Sequence, residues 1–334
     1  MADETITLIP FSDRQAWTRA TARALPGQSW GHSAGLAADG MTPELAIVTA
    51  QGAQMILPFH RRGFDGTTDI ATLPGLSGAL ITPSHPAPLA AWSRYAQMQG
   101  WVAGYIQVSP LNDDLAVPAP DTCLSTNALY VFDLQNWDID RSVGYKMRRN
   151  LKAGIRIGAQ LVTDPEKISP HFPALYADHL VRVGGDPSVS ALALDRWFAE
   201  PGIIAFGAIL DGRIVNIQMG RRQGDWADLH LAGSLADGRD LQAWLIWQAI
   251  ESLRQDGVRW FNIGGYGQQG DGLHWMKARF GATEHPLRSV RQIYDPQRFA
   301  QLCAQTGTDP ADRFFPPYRA PGLISGDPKP VPQI

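Results

Sequence analysis

Cysteine is nearly absent from this chain, with only Cys123 and Cys303 among 334 residues. Neither stands in a Cys-x-x-Cys pair, so the sequence signals no disulfide framework and no zinc site. No apolar run approaches the roughly 20 residues of a membrane span. The opening "MADETITLIPFSDRQ" has no basic leader ahead of an apolar stretch. A charge excess is missing as well: 29 Lys and Arg face 32 Asp and Glu, a net charge of -3. That removes any whole-molecule attraction to nucleic acid or an anionic membrane and leaves only a local basic patch open. With 44% apolar and 18% charged residues, the composition is that of a folded soluble protein. A reduced, cytoplasmic setting is expected, with no metal and no cofactor.

What the chain does contain is alternating strand and helix signals in two tandem segments. "PELAIVTA" and "AQMILPF" are β-rich runs split by "QG", which predicts a hairpin. "APLAAWSRYAQMQG" carries helical spacing and stops at Gly100, and "WVAGYIQVSP" and "ALYVFDL" read as strands. In the second segment, "IIAFGAILDG" and "RIVNIQMGRRQG" form a second predicted hairpin at Asp211-Gly212. "DWADLHLAGS" is a strand, "DLQAWLIWQAIESLRQDG" a long helix ended by Gly257, and "VRWFNIGG" a further strand. Hairpins mixed with helices predict an α/β protein of mixed sheets and argue against a purely doubly wound parallel sheet.

The densest run is "NIGGYGQQGDGLHWMKARFG", Asn262 to Gly281. It lacks the G-x-x-x-x-G-K-[ST] arrangement that wraps a triphosphate, and it is not read as a dinucleotide-binding turn opening a helix. Lys277, between Met276 and Ala278, is either a surface lysine or a cation projected into a cleft, where it would offset an oxyanion or a phosphate. Trp275 and Tyr266 accompany it as candidate lining residues.

Between Lys146 and Arg156 lie five cations. Met147, Leu151 and Ile155 are spaced as one apolar stripe of a helix, and Arg149, Lys152 and Arg156 as a basic stripe beside it. The basic stripe is either a solvated face paired with nearby acids or a contact for phosphates. On the strand "DWADLHLAGS", two-residue alternation places Asp228 and His230 on one face. His230 is either a structural histidine or a general base for an amine. Asn216, Gln218 and Asn262, on neighbouring predicted strands, are candidates to line the same cleft. His32 and His60 have no partner pattern, so no metal site is expected.

The order of a basic helix "YKMRRNLKAGIRIGAQLV", paired strands, "HLAGS", a long helix, "GVRWFNIGG" and "DGLHWMKARFGA" resembles the Fem family of peptidyltransferases. "LPF", "LPGLSGALI" and "GYIQVSP" are similar to that family's first domain. The resemblance covers most of the chain as an order of elements, and its specific part is the last third. It implies two tandem acetyltransferase-like (GNAT) domains with a cleft between them: residues 1–138, with 295–334 packing back on them, and residues 139–294. It also implies transfer of an amino acid from aminoacyl-tRNA, or another carrier-bound acyl group, to an amine acceptor. Lys277 matches the family lysine of a K-x-x-F-G context, which contacts the acceptor or the tetrahedral intermediate. The family usually has an aromatic residue just before that lysine, whereas here Met276 stands there and Trp275 one place earlier.

An acetyltransferase that binds acyl-CoA presents an [RQ]-x-x-G-x-[GA] turn to the pyrophosphate ahead of a long helix. "AGSLADGRDLQAWL" does not form that turn, so a carrier other than CoA is expected. Two rival readings stay open: an acyl-CoA-dependent enzyme with an atypical loop, and a binding protein that keeps the scaffold without turnover.

Overall fold

The computed structural model describes residues 4–75, 78–112, 114–117, 120–185, 189–265 and 272–320. Its strands are β1 Thr5–Pro10, β2 Pro43–Ala50, β3 Ala53–Phe64, β4 Thr67–Thr72, β5 Leu80–Thr82, β6 Ala103–Val108, β7 Thr122–Asp133, β8 Gln160–Val162, β9 Ile203–Leu210, β10 Arg213–Gln223, β11 Trp226–Ser234, β12 Trp260–Asn262 and β13 Thr283–Ile293. Two compact units divide the chain. The first comprises Met1–Ala24, Gly40–Thr126 and Pro286–Ile334, and the second Leu25–Asp39 and Asn127–His285.

In the first unit the strand order is β1-β2-β3-β4-β6-β13, with β5 beside β3. The β4–β6 pair is parallel, while β1–β2, β2–β3, β3–β4 and β6–β13 are antiparallel. The β2–β3 hairpin turns at Gln51 and Gly52, both with positive φ, the turn whose twist suits a two-residue hairpin. Helix Ala87–Met98 buries Leu89, Ala91, Trp92 and Ala96 against β2 and β3. It ends where Gly100 takes a φ of 70°. Late in the chain, helix Pro296–Thr306 and the turn Pro317–Arg319 bring Phe299, Leu302, Cys303, Phe315 and Tyr318 onto Ala71, Val102, Ala103 and Tyr105. Buried Asp69 anchors that return: Arg319 Nε lies 2.5 Å and Tyr318 Oη 3.3 Å from its carboxylate.

In the second unit the order is β7-β12-β11-β10-β9-β8. Among the described residues there, β11 and β12 are the one parallel pair, and the β9–β10 hairpin turns at Asp211 and Gly212, again both at positive φ. Helix Gln242–Gln255 lays Trp244, Leu245, Ile246, Ala249, Ile250 and Leu253 into a core with Phe132, Phe206, Ala227, Leu229 and Phe261. Helix Phe172–Val183 packs on β11 outside that core and is closed by Gly184 in the left-handed region. Helix Trp30–Ala38 also belongs here and packs on helix Ala191–Ala199. The Trp197 indole donates to His32 O at 2.7 Å, and a Cβ on Gly35 would lie 2.3 Å from the same ring.

The basic segment departs from the single helix expected of it. Helix Tyr145–Leu151 stops at Lys152 and a short helix Ala153–Arg156 follows. The break changes the phase, so Met147 and Leu151 stay buried while Ile155 is 58% exposed. Gly154 takes the place against Trp244, whose ring a Cβ at that position would meet at 2.5 Å.

Candidate functional site

Lys277, Asn262 and Asp228 come together at the C-terminal end of β12. β12 is held between β11, in parallel, and β7, in antiparallel. Asn262 ends it by accepting Gly264 N–H on Oδ1 at 2.8 Å, a side-chain turn that closes the strand. Gly264 follows with a φ of 74°. A Cβ on Gly265 would lie 2.7 Å from both Ala128 O and Asn127 Oδ1. The glycine pair therefore serves a sharp turn and a close backbone approach. Residues 265–270 spell G-x-G-x-x-G, yet the first of these glycines is used against β7, and the helix that follows, Gly272–Ala278, has only seven residues.

Lys277 on that helix is buried and donates to Ile263 O and, at 2.6 Å, to Gly265 O. Its ammonium thus sits on the carbonyls that leave β12. The residues after it fix its position. Phe280 is fully buried against Phe132, its carbonyl takes the Trp137 indole N–H at 2.8 Å, and Gly281 turns the chain with a φ of 79°. Trp275 lies on the outside of the helix, 52% exposed, with the Arg279 guanidinium 5.5 Å from its ring centre.

One turn before Lys277 stands His274, which the sequence reading passed over. Its Nδ1 is 3.0 Å from Tyr130 Oη, and the same hydroxyl is 3.5 Å from Glu284 Oε2. Tyr130 is 1% exposed. No local pattern marks this trio, because its members lie on β7, the short helix and β13.

Asp228 and Asn262 are in register on the parallel pair β11–β12, and both are buried. Asp228 Oδ1 accepts from the Trp226 indole at 2.7 Å. The alternation expected to carry Asp228 and His230 on one face is interrupted. Met219 pairs with Leu231 and Gly220 with Leu229, so His230 is the extra residue of a β-bulge. There it meets the edge of Trp197 at 4.8 Å and the His32 ring at 5.2 Å. Burial first, then the nearby His32 and Arg221, hold the His230 imidazole down at a pKa of about 3. It is a neutral ring set edge-on to the stacked pair of Trp197 and His32, the histidine coming from the helix Trp30–Ala38.

Asn216 and Gln218 lie elsewhere on β10. Asn216 Nδ2 donates to Gly238 O at 3.0 Å and Gln242 Oε1 at 3.2 Å, and Gln218 Nε2 reaches Gln242 O at 3.5 Å. They hold down the start of the long helix, and no hydrogen bond joins them to Lys277 among the described residues. Arg149, Lys152 and Arg156 are exposed, and their side chains make no ion pair among the described residues. The acids expected to neutralise a solvated face are therefore not engaged with them. Tyr266 lies outside the described residues. Among those residues no group of three or more His, Cys, Asp or Glu is placed to hold a metal, and no helix is long and apolar enough to cross a membrane.

The fold is shared with FemX. That structure superposes with a TM-score of 0.65 over 89% of this chain and 99% of its own, at 10% identity. The C-terminal domain of a putative lysylphosphatidylglycerol synthetase from Agrobacterium fabrum gives 0.58 over 90% of this chain and 98% of its own, at 15% identity. L-PGS from Bacillus licheniformis gives 0.56 over 85% and 92%, at 13%. No protein-family model and no curated protein matches the sequence. Identities this low carry the likeness as one of fold. The chain has the mixed α/β architecture expected of it, and its fold is like that of FemX.

Proposed function

We propose that the protein is an acyltransferase that moves an aminoacyl group from aminoacyl-tRNA to the amine of a small molecule or peptide precursor. The observation that carries this reading is the buried Lys277 ammonium, fixed at the end of β12, in a fold shared with FemX and lysylphosphatidylglycerol synthetase. A neutral amine attacks the ester carbonyl, and the fixed positive charge offsets the charge that develops on its oxygen. Asn262 and Asp228 wall the strand end, and Arg149, Lys152 and Arg156 meet donor phosphates. His230 suits a packing group of the aromatic cluster better than the base, because an imidazole with a pKa of about 3 retains a transferred proton too weakly. The loop ahead of the long helix speaks against a pyrophosphate-binding turn for acyl-CoA. Gly238 there is pressed onto β10, where a Cβ would meet Val215 O at 2.1 Å.

The test is to incubate the protein with mixed charged tRNAs and follow amine-dependent deacylation by mass spectrometry. Stoichiometric acetyl-CoA binding in calorimetry would favour the CoA-dependent rival, and no turnover with any donor the binding-protein one. Lys277→Met keeps the length of the side chain and removes its charge, and turnover is expected to fall by about 100-fold. The same change unpairs two carbonyls at about 1–3 kcal/mol each, so the melting temperature is recorded alongside. A folded, fully active Lys277→Met variant removes the lysine from the mechanism.

A further inference from the structure

An amine that attacks an ester must lose a proton, and the acyl-transfer reading leaves that proton without an acceptor once His230 is set aside. We propose that His274 is the general base of the transfer, with Tyr130 and Glu284 as the positioning residues that select its tautomer. The proposal rests on the acyl-transfer reading and adds to it.

Three observations carry it. His274 and Lys277 are three residues apart on one short helix, so base and fixed cation occupy adjacent positions on one helix surface. The Tyr130 hydroxyl is rigidly placed. Its ring is buried, and its main chain is tied to the end of β12 by Ile263 N–H to Tyr130 O at 2.9 Å and Tyr130 N–H to Gly264 O at 3.3 Å. That hydroxyl stands between a ring nitrogen and a carboxylate, 3.0 Å from His274 Nδ1 and 3.5 Å from Glu284 Oε2.

A phenol has one proton to donate and lone pairs to accept with. In the proposed arrangement Tyr130 donates toward the Glu284 carboxyl group and accepts from His274 Nδ1–H. This leaves Nε2 as the basic nitrogen, the arrangement in which a third group orients a base through its far nitrogen.

The step balances within these groups. The amine nitrogen forms the new C–N bond as the carbonyl π pair moves to oxygen, beside the positive charge of Lys277. The ammonium proton passes to His274 Nε2. When the carbonyl re-forms, the ester C–O bond breaks and the leaving oxygen takes that proton from the imidazolium. An amide and an alcohol result, and the histidine is restored.

The experiment uses the full chain, total charged tRNA as donor, and glycinamide and putrescine as acceptors. With wild-type turnover established, His274→Gln is expected to lower kcat by about 100-fold and to change the pH profile of kcat. In His274→Gly, added imidazole is expected to restore part of the loss, a response that a purely structural histidine does not give. Nitrogen-15 NMR of the wild-type chain is expected to show neutral His274 protonated on Nδ1, and Tyr130→Phe to weaken that preference. Wild-type transfer with His274→Gln within twofold in kcat and an unchanged pH profile overturns the base assignment alone, as does a neutral ring protonated on Nε2. No wild-type transfer with any charged tRNA overturns the acyl-transfer reading and the base with it.

Discussion

His230 shows how far a residue's letter is from its chemistry. As a strand histidine it reads as a candidate base, whereas the bulge in β11 turns it into a cluster with Trp197 and His32. Folding lowers its pKa from 6.5 to about 3. Between those values the unfolded chain holds the extra proton, so the stabilisation is full above pH 6.5 and is lost as pH falls toward 3. At pH 5 this amounts to about 2 kcal/mol. His60 in the first unit is depressed in the same direction by burial, Arg62 and Arg319. The melting temperature is expected to drop between pH 7 and pH 5, and His230→Gln to remove part of that slope, leaving the part due to His60. Equal slopes in variant and wild type would assign acid sensitivity elsewhere. Lys277 could be singled out from sequence because it stands in a compact motif. His274 could not, because Tyr130 lies 144 positions away in the chain and comes to it only through β7.

Elements were more legible than their contacts. Both two-residue hairpins, at Gln51-Gly52 and Asp211-Gly212, follow from the need for two consecutive positive φ values. The long helix Gln242–Gln255 follows from its apolar spacing. The basic segment is legible only in part, since its helical spacing runs on across Lys152, where the chain breaks and Gly154 sits against Trp244. That break leaves Arg149, Lys152 and Arg156 exposed on a short two-helix element. If the element meets donor phosphates, Arg149→Ala and Lys152→Ala each weaken tRNA binding and reduce the slope of log affinity against log salt by about 0.7–0.9. Filter binding at graded salt checks this, and an unchanged slope takes the element out of the donor site.

At the scale of the whole molecule, each unit is assembled from separated stretches of chain. The first unit needs the late residues Phe299, Leu302, Cys303, Phe315 and Tyr318 to cover Val102 and Tyr105, and Arg319 to meet Asp69. Burial of large apolar side chains contributes about 1.5–3 kcal/mol each, so the loss of several is comparable with the stability of a domain. A chain ending at Asp295 is therefore expected to lose the cooperative melt of the first unit in calorimetry. A truncated chain that melts like the full one would show that this return is dispensable.

Local spacing and turn chemistry established most strands and helices, the α/β class and the lysine motif, because those depend on backbone preferences of neighbouring residues. The bulge at His230, the Tyr130–His274–Glu284 trio and the entry of Leu25–Asp39 into the second unit depend on which distant surfaces pack together. Such contacts are selected by the energy of the assembled core, and no short window of residues contains that energy.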